Sequence, residues 1–321
     1  MRLTIENERK IIKINNKTMK IKQITSVIAA MAIIFGSAEA NARVTINAKG
    51  KVTTRTEMVK NFDSLINKSV GNITYEEGES PRVKIVGPYN VVPYIEVKCT
   101  DGKLEIGHKD NANIRMNGKR LDIIVVGKKV KDFGIEGSGD IIIAQGLSGD
   151  KFLLGVSGSG DIEIKGALKA SEVNIGIAGA GSVELKLVEA TDVKCGISGA
   201  GDIEIEQMRG ETLACGVTGA GDIKAKADVK TVSAGVTGAG TVSLKGKADK
   251  AKFGVSGSGD VQAEKMEVSD VEAGVSGSGD IFCHATQRLA ATSTATGKVV
   301  YSGNPTNIKA GPNVKHRARN K

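Results

Sequence analysis

The sequence predicts an all-β chain wound as a parallel β-helix, with coils of about 20 residues. Three observations lead to that class. The motif G-[IV]-x-G-[SA]-G-[DST]-[IV] begins at Gly134, Gly155, Gly176, Gly196, Gly216, Gly235, Gly254 and Gly274, at steps of 19 to 21 residues. A fixed period of that size is the signature of a solenoid. Within each repeat, branched aliphatic residues alternate with polar ones, the two-residue period of a strand. Glycine makes up 41 of 321 residues against only 5 prolines, and most of it falls in the motif. The glycine therefore marks repeated corners and not a flexible linker.

The leading segment, residues 1–42, reads as an export signal. Lys20 and Lys22 precede the apolar run Ile24–Gly36, and SAEANA then offers small-residue cleavage sites after Ala40 or Ala42. Met19 fits the start of such a segment better than Met1. The apolar run is too short to span a bilayer, and no later stretch is long enough, so the mature chain is expected to carry no transmembrane segment.

Residues 43–131 are β-rich but lack clean glycine copies. Strand-like runs lie at Val83–Val86, Tyr94–Cys99, Leu104–Ile106 and Leu121–Val126, with loops at Asn111–Gly118 and Glu76–Pro81. This part is expected to be a cap with irregular first coils, since solenoids need atypical ends. A separate ligand-binding domain is the alternative.

Residues 132–303 hold the regular coils. Two strands per coil are expected, joined at G-[SA]-G and by a polar arc such as Gln207–Thr212. One inward column runs Ile135, Val156, Ile177, Ile197, Val217, Val236, Val255, Val275. A second runs Ile141, Ile162, Val183, Ile203, Ile223, Val242, Val261, Ile281. A third, of mixed size, runs Phe133, Leu154, Ile175, Cys195, Cys215, Ala234, Phe253, Ala273. The last two glycines of each copy need either positive φ or close backbone approach. A degraded ninth copy, Ser293–Val299, ends the series, and residues 304–321 follow as a basic tail, in which Lys315–Lys321 is expected to be a frayed, solvated terminus, contact with anionic envelope lipid or polysaccharide being the alternative.

Repeats of the form GVSGSGDI after a secreted β-rich lead-in resemble the auto-transporter adhesin head family with the GIN motif, from Gram-negative bacteria. Val59–Ile66 (VKNFDSLI), Val83–Gly107, Leu121–Ile141 and the closing Val299–Pro305 carry the resemblance. It implies a right-handed parallel β-helix and export to the periplasm or cell surface. It brings no functional residues.

The candidate site residues form a ladder just after the corner: Asp140, Asp161, Ser182, Asp202, Asp222, Thr241, Asp260 and Asp280. G-S-G-D is similar to the calcium-binding nonapeptide repeat, but the period here is about 20 and two positions carry hydroxyls. Both substitutes suit a structural turn ladder bonded to corner amides, so no metal or other cofactor is expected. Glu163, Glu184 and Glu204 stack on one face, yet that column continues through Lys224, Ser243, Gln262 and Phe282, the pattern of a solvated face. His108, His284 and His316 have no column partner. No catalytic residue is therefore assigned. The outward column Glu136, Ser157, Ala178, Ser198, Thr218, Thr237, Ser256, Ser276 is small and nearly uncharged, which fits steric economy near a corner first and a flat contact surface as the alternative. Cys195 and Cys215 share the third column and are expected to be buried thiols; Cys99 and Cys283 have no argued partner.

The formal charge of +9 gathers at the two ends, in the leading segment and in Lys309, Lys315, Arg317, Arg319 and Lys321. A nucleic-acid binder would carry its basic face on the folded body, so nucleic acid is not an expected partner. The expected function is that of an exported, non-enzymatic β-helix of the cell envelope, an adhesin or scaffold for a protein or polysaccharide partner. A carbohydrate-binding or carbohydrate-processing β-helix is the alternative.

Overall fold

The computed structural model describes residues 44–109 and 112–317. The expected export segment, residues 1–42, lies outside the described residues, as do Arg319 and Lys321 of the tail. Apart from a 3-10 turn at Val92–Tyr94, the regular elements are strands, and they build the parallel β-helix that the repeat predicts.

Nine strands precede the glycine repeats. They are β1 (Val44–Asn47), β2 (Val52–Met58), β3 (Ser64–Asn67), β4 (Asn72–Glu77), β5 (Arg82–Pro88), β6 (Ile95–Thr100), β7 (Lys103–His108), β8 (Ala112–Arg115) and β9 (Asp122–Gly127). The coils contain β10 (Asp132–Ile135), β11 (Ile141–Ile143), β12 (Leu147–Ser148), β13 (Lys151–Val156), β14 (Ile162–Ile177), β15 (Val183–Ile197) and β16 (Ile203–Val217). They continue with β17 (Ile223–Val236), β18 (Thr241–Val255), β19 (Asp260–Val275) and β20 (Ile281–Ser293). The chain closes with β21 (Val299–Ser302), β22 (Asn307–Ala310) and β23 (Val314–His316).

The three predicted inward columns are ladder partners from coil to coil. Ile197, Ile203 and Cys215 are fully enclosed, as are their counterparts along the stack. Such a stack of branched side chains buries a continuous apolar core, which is the main stabilising term of a solenoid.

Three expectations are corrected. First, each later coil contains one long bent strand where two were expected, because the arc stays in the ladder. Leu168, Val188, Met208 and Ala227 pair across successive coils within that arc and are buried. A bulge between Ile205 and Met208 shifts the alternation by one, so the arc looks polar when read with a strict two-residue period. Second, the described part of the tail, though its side chains stay largely exposed, pairs with the coils. β22 pairs with the second half of β20, and β23 pairs with β21. The Tyr301 and His316 rings meet at 4.8 Å. An open parallel edge offers backbone partners to any extended segment that reaches it, even one with exposed side chains. Third, the segment Asn111–Gly118, read as a loop, contains β8, which pairs with β1 in a two-stranded ribbon. The buried Ile46 and Ile114 of that ribbon join the core. Glu76 and Glu77 likewise belong to β4.

The order of the first coils departs from the chain order. β3 pairs with β10 on one side and β7 on the other; β4 pairs with β11 and β9. The coil made by β3 and β4 is thus interposed between two segments that follow it in sequence. Beyond β7 and β9 the ladders turn antiparallel and end in β6 on one sheet and in β5 and β2 on the other.

Candidate functional site

Every corner turns within a seven-residue stretch such as Ile197–Ile203. The last two glycines of each motif are required by close approach and not by handedness. The positive-φ glycines of the described chain are Gly50, Gly102, Gly118, Gly246 and Gly303, none of them in a corner. A Cβ on Gly199 would fall 2.0 Å from the Gly179 carbonyl oxygen, and one on Gly201 1.9 Å from that of Gly181. Real side chains do not reach such distances, so the coils stack at the corner only without them.

The ladder residues follow these glycines. Each carboxylate accepts the backbone N–H of its counterpart in the following coil, so the bond runs between coils and not to its own corner. Asp140 Oδ1 accepts from Asp161 N at 3.0 Å, Asp161 from Ser182 N at 2.7 Å and Asp202 from Asp222 N at 2.9 Å. Asp222 accepts from Thr241 N at 2.8 Å, Asp260 from Asp280 N at 2.7 Å and Asp280 from Lys298 N at 2.7 Å. The hydroxyls do not reproduce the carboxylate bond. Ser182 Oγ donates back to Asp161 at 2.9 Å, and the amide after Thr241, that of Asp260, bonds the Gly240 carbonyl at 3.3 Å.

Sequence reading missed the start of this ladder. Asn72 Oδ1 accepts from Asp140 N at 3.2 Å, so the row starts one coil earlier. The stretch Asn67–Ile73 (NKSVGNI) takes the place of a glycine corner there. Only Gly71 and the final isoleucine survive from the motif, and it lies 68 residues before its counterpart at Ile135 instead of about 20. A search for the periodic motif therefore passes over it.

The outer ridge beside the corner is small and open. Ala178, Ser198, Thr218, Thr237, Ser256 and Ser276 are exposed, while Glu136 and Ser157 are half-buried. A parallel row of alanines and serines, Ser138 to Ser278, is also exposed. The first-glycine column does not need glycine throughout: a Cβ on Gly274 would meet nothing within 4 Å.

The acidic column is a row of neighbours and not a facing pair. Glu163, Glu184 and Glu204 are successive ladder partners. Burial, and then the charges of Glu163 and Glu204, raise the Glu184 carboxyl above its ordinary value. The column borders an open depression of about 460 Å³ lined by Glu204, Glu206, Lys224, Lys226, Lys245 and Lys265, among others. Both signs of charge line it. On the opposite sheet Glu172 is held down to about 2 by hydrogen bonds from Lys194 and Asn174.

The remaining candidates sit in structural contacts. His284 Nδ1 lies 2.8 Å from Ser302 Oγ, and His316 Nε2 lies 3.1 Å from the Gly303 carbonyl. His108 Nε2 accepts the Val70 N–H at 3.4 Å. Cys195 and Cys215 are ladder partners, both buried and unbridged. Their mutual hydrogen bond and burial push the Cys195 thiol well above its usual value, and burial raises Cys283 to about 12. Among the described residues, no group of three or more His, Cys, Asp or Glu side chains is placed to hold a metal ion, and no helix is long and apolar enough to cross a membrane.

Comparison with known proteins agrees with this architecture. The chain is similar in fold to a "putative adhesin" from Parabacteroides distasonis, at 18% identity and TM-score 0.56, over 85% of this chain and 99% of that one. A "putative adhesin" from Parabacteroides merdae matches at 21% identity and TM-score 0.54, again over 85% and 99%. A "putative lipid binding protein" from Parabacteroides distasonis matches at 20% identity and TM-score 0.52, over 85% and 100%. At these identities the likeness concerns the fold alone. No curated protein matches the sequence. The profile of the family described as "Putative auto-transporter adhesin, head GIN domain" matches residues 61–228 and 193–305, most of the chain. On that span, the stacked glycine corners and the cap that precedes them, the chain belongs to the auto-transporter adhesin head family with the GIN domain.

Proposed function

We propose that the protein is an exported, non-enzymatic β-helix of the cell envelope that works by contact, as an adhesin or a scaffold for a protein or polysaccharide. The observation that carries this reading is the outer ridge. Along it, Ala178 to Ser276 and the alanines and serines of the corners present small, uncharged side chains at the coil spacing of about 4.8 Å. Extended, regular surfaces of this kind suit long partners. Gly274 supports it further, because glycine persists in that column where a side chain would fit. The acids of the Glu184 column stack side by side on an open face, whereas a hydrolase needs two carboxylates facing each other across a cleft. The name of the matched family, and the apolar stretch before SAEANA, support an envelope location.

The test is fractionation of the native cell followed by photo-crosslinking from the ridge. A crosslinker at Thr218 or Ser256 is expected to capture an envelope protein or polysaccharide, and Thr218→Lys with Ser256→Lys to abolish the capture. Recovery of the protein in the cytoplasmic fraction would overturn the export reading. Capture undiminished by the two lysines would overturn the ridge as the contact surface.

A further inference from the structure

The ladder through β4, β9 and β5 ends at β2, and among the described residues no strand pairs with the outer side of β2. Its alternation fixes what that edge offers. Tyr89 N–H bonds the Lys51 carbonyl and Val59 N–H bonds the Pro81 carbonyl, in the register that pairs Val52 with Pro88. In an antiparallel pair the hydrogen-bonded residues alternate. Lys51, Thr53, Arg55, Glu57 and Val59 therefore turn their backbone groups to β5, and Val52, Thr54, Thr56 and Met58 turn theirs to the free edge. The side chains of those same four residues are exposed, with Val52 and Met58 each 70% accessible. Seven residues of unpaired edge with exposed apolar ends form a template for strand addition.

We propose that β2 pairs antiparallel with β2 of a second copy of this chain, in the register centred on Arg55. The strand is self-complementary in that register alone over its whole length. Val52 then faces the second copy's Met58, and Thr54 faces its Thr56. The contact covers both exposed apolar residues on each copy and matches the outward backbone groups with one another. The two-fold symmetry makes one patch serve both partners. On the inner face Arg55 stands directly opposite the second copy's Arg55, a like-charge contact that the register has to offset. Arg55 is turned toward the carbonyls of Val92 and Ile95, at 2.7 and 2.5 Å, and is paired with Glu57 at 2.8 Å. Each Arg55 is flanked by its own Glu57 and, diagonally, by the other copy's Glu57, so both arginines lie between two carboxylates. The inference concerns the cap and stands apart from the reading of the ridge.

Sedimentation of the purified full-length protein over a wide concentration range tests it. The wild-type chain is expected to dimerise reversibly. Thr54→Pro removes an outward N–H without touching the β5 ladder, and is expected to leave a monomer with an unchanged melting temperature. Thr56→Lys places a charge on the seam and is expected to do the same, so the test survives if the proline variant misfolds. In a Cys99→Ser background, Val52→Cys mixed with Met58→Cys is expected to give a disulfide-linked pair under mild oxidation, while neither variant links to itself. A wild-type monomer at every concentration would sink the proposal. So would a dimer that survives both substitutions, or self-linking of the Val52→Cys protein, which would mean another register.

Discussion

Asn67 and Ser293 are two buried polar residues in one inward column, which continues past Asn67 to Ile106 of β7. Asn67 is the ladder partner of Ile135, and Ser293 that of Val275. Between them stand only branched aliphatics. Each turns its side chain onto the carbonyl four residues on: Asn67 Nδ2 onto Gly71 at 2.9 Å and Ser293 Oγ onto Gly297 at 2.6 Å. Both corners lack the regular glycine pattern, and in each a buried polar side chain donates to a corner carbonyl.

Asn67 also donates to the Gly139 carbonyl at 2.9 Å. Asn67→Leu would continue the aliphatic column while leaving these buried acceptors unpaired, a loss of about 1–3 kcal/mol. Thermal unfolding should show a clear drop in melting temperature. An unchanged midpoint would mean that the carbonyls are satisfied by water.

Two alanine substitutions separate the glycine columns. Gly199→Ala drives a methyl into the Gly179 carbonyl and is expected to disrupt the middle coils. Gly274→Ala meets nothing and should melt within about 0.5 kcal/mol of wild type, as surface changes do. Equal losses for the two would contradict the corner packing described above.

The aspartate ladder should behave as a row of amide acceptors. Asp202→Leu removes the acceptor for Asp222 N–H, a bond at the surface, and should cost about 1 kcal/mol. Asp202→Ser is expected to cost no more than that, because the chain tolerates Ser182 in the same row. Millimolar calcium should leave the melting temperature where it is, since only a ligand that binds the folded chain raises it. A calcium-dependent rise lost in Asp202→Ser would make the row a metal site.

Opposite pH dependences are expected on the two sheets. The carboxyl of Glu172 is lowered to about 2 from its usual 4.5. Its contribution is therefore fully present above about pH 4.5 and is lost as the pH falls toward 2. Glu172→Gln should lower the melting temperature at pH 7 and converge with wild type in acid. Glu184 is raised, so its ionisation opposes folding, and Glu184→Gln should stabilise the protein at neutral pH. Its advantage should fade as the pH drops below the ordinary carboxylate range. Parallel profiles for both variants would contradict these assignments.

The four cysteines should titrate as free thiols in denaturant without reductant. Cys195 and Cys215 are register partners shielded from solvent, and the Cys195 thiol is raised, which slows oxidation because the thiolate is the reacting form. A count of two would show that the pair is bridged.

The three inward columns were legible because each occupies a fixed offset from a glycine triplet, and a branched residue recurs at that offset in every repeat. The arc column through Val188 and Met208 was not, since a bulge of variable position breaks its alternation. The direction of the aspartate bonds was also hidden. A short acceptor after a tight turn suits its own corner or the next one equally, and only the stacking distance decides. The coil of β3 and β4 was lost for a different reason: its partners are separated from it by the whole excursion through β5 to β9. The candidate ridge could be read from residue size, but the free edge of β2 could not, because nothing in VTTRTEM distinguishes an edge strand from an interior one.

The interposed coil gives the rod a mechanical polarity. Pulled from its C-terminal end, the solenoid can peel β23, β22 and β21 and then each coil in turn, breaking one ladder at a time. Pulled from the other end, once β1 and β2 have come away, the load falls on β3 and β4. Each is clamped on both sides, by β7 and β10 and by β9 and β11. Extracting them means shearing several ladders together, so the molecule resists tension far better at its N-terminal end than at its C-terminal end.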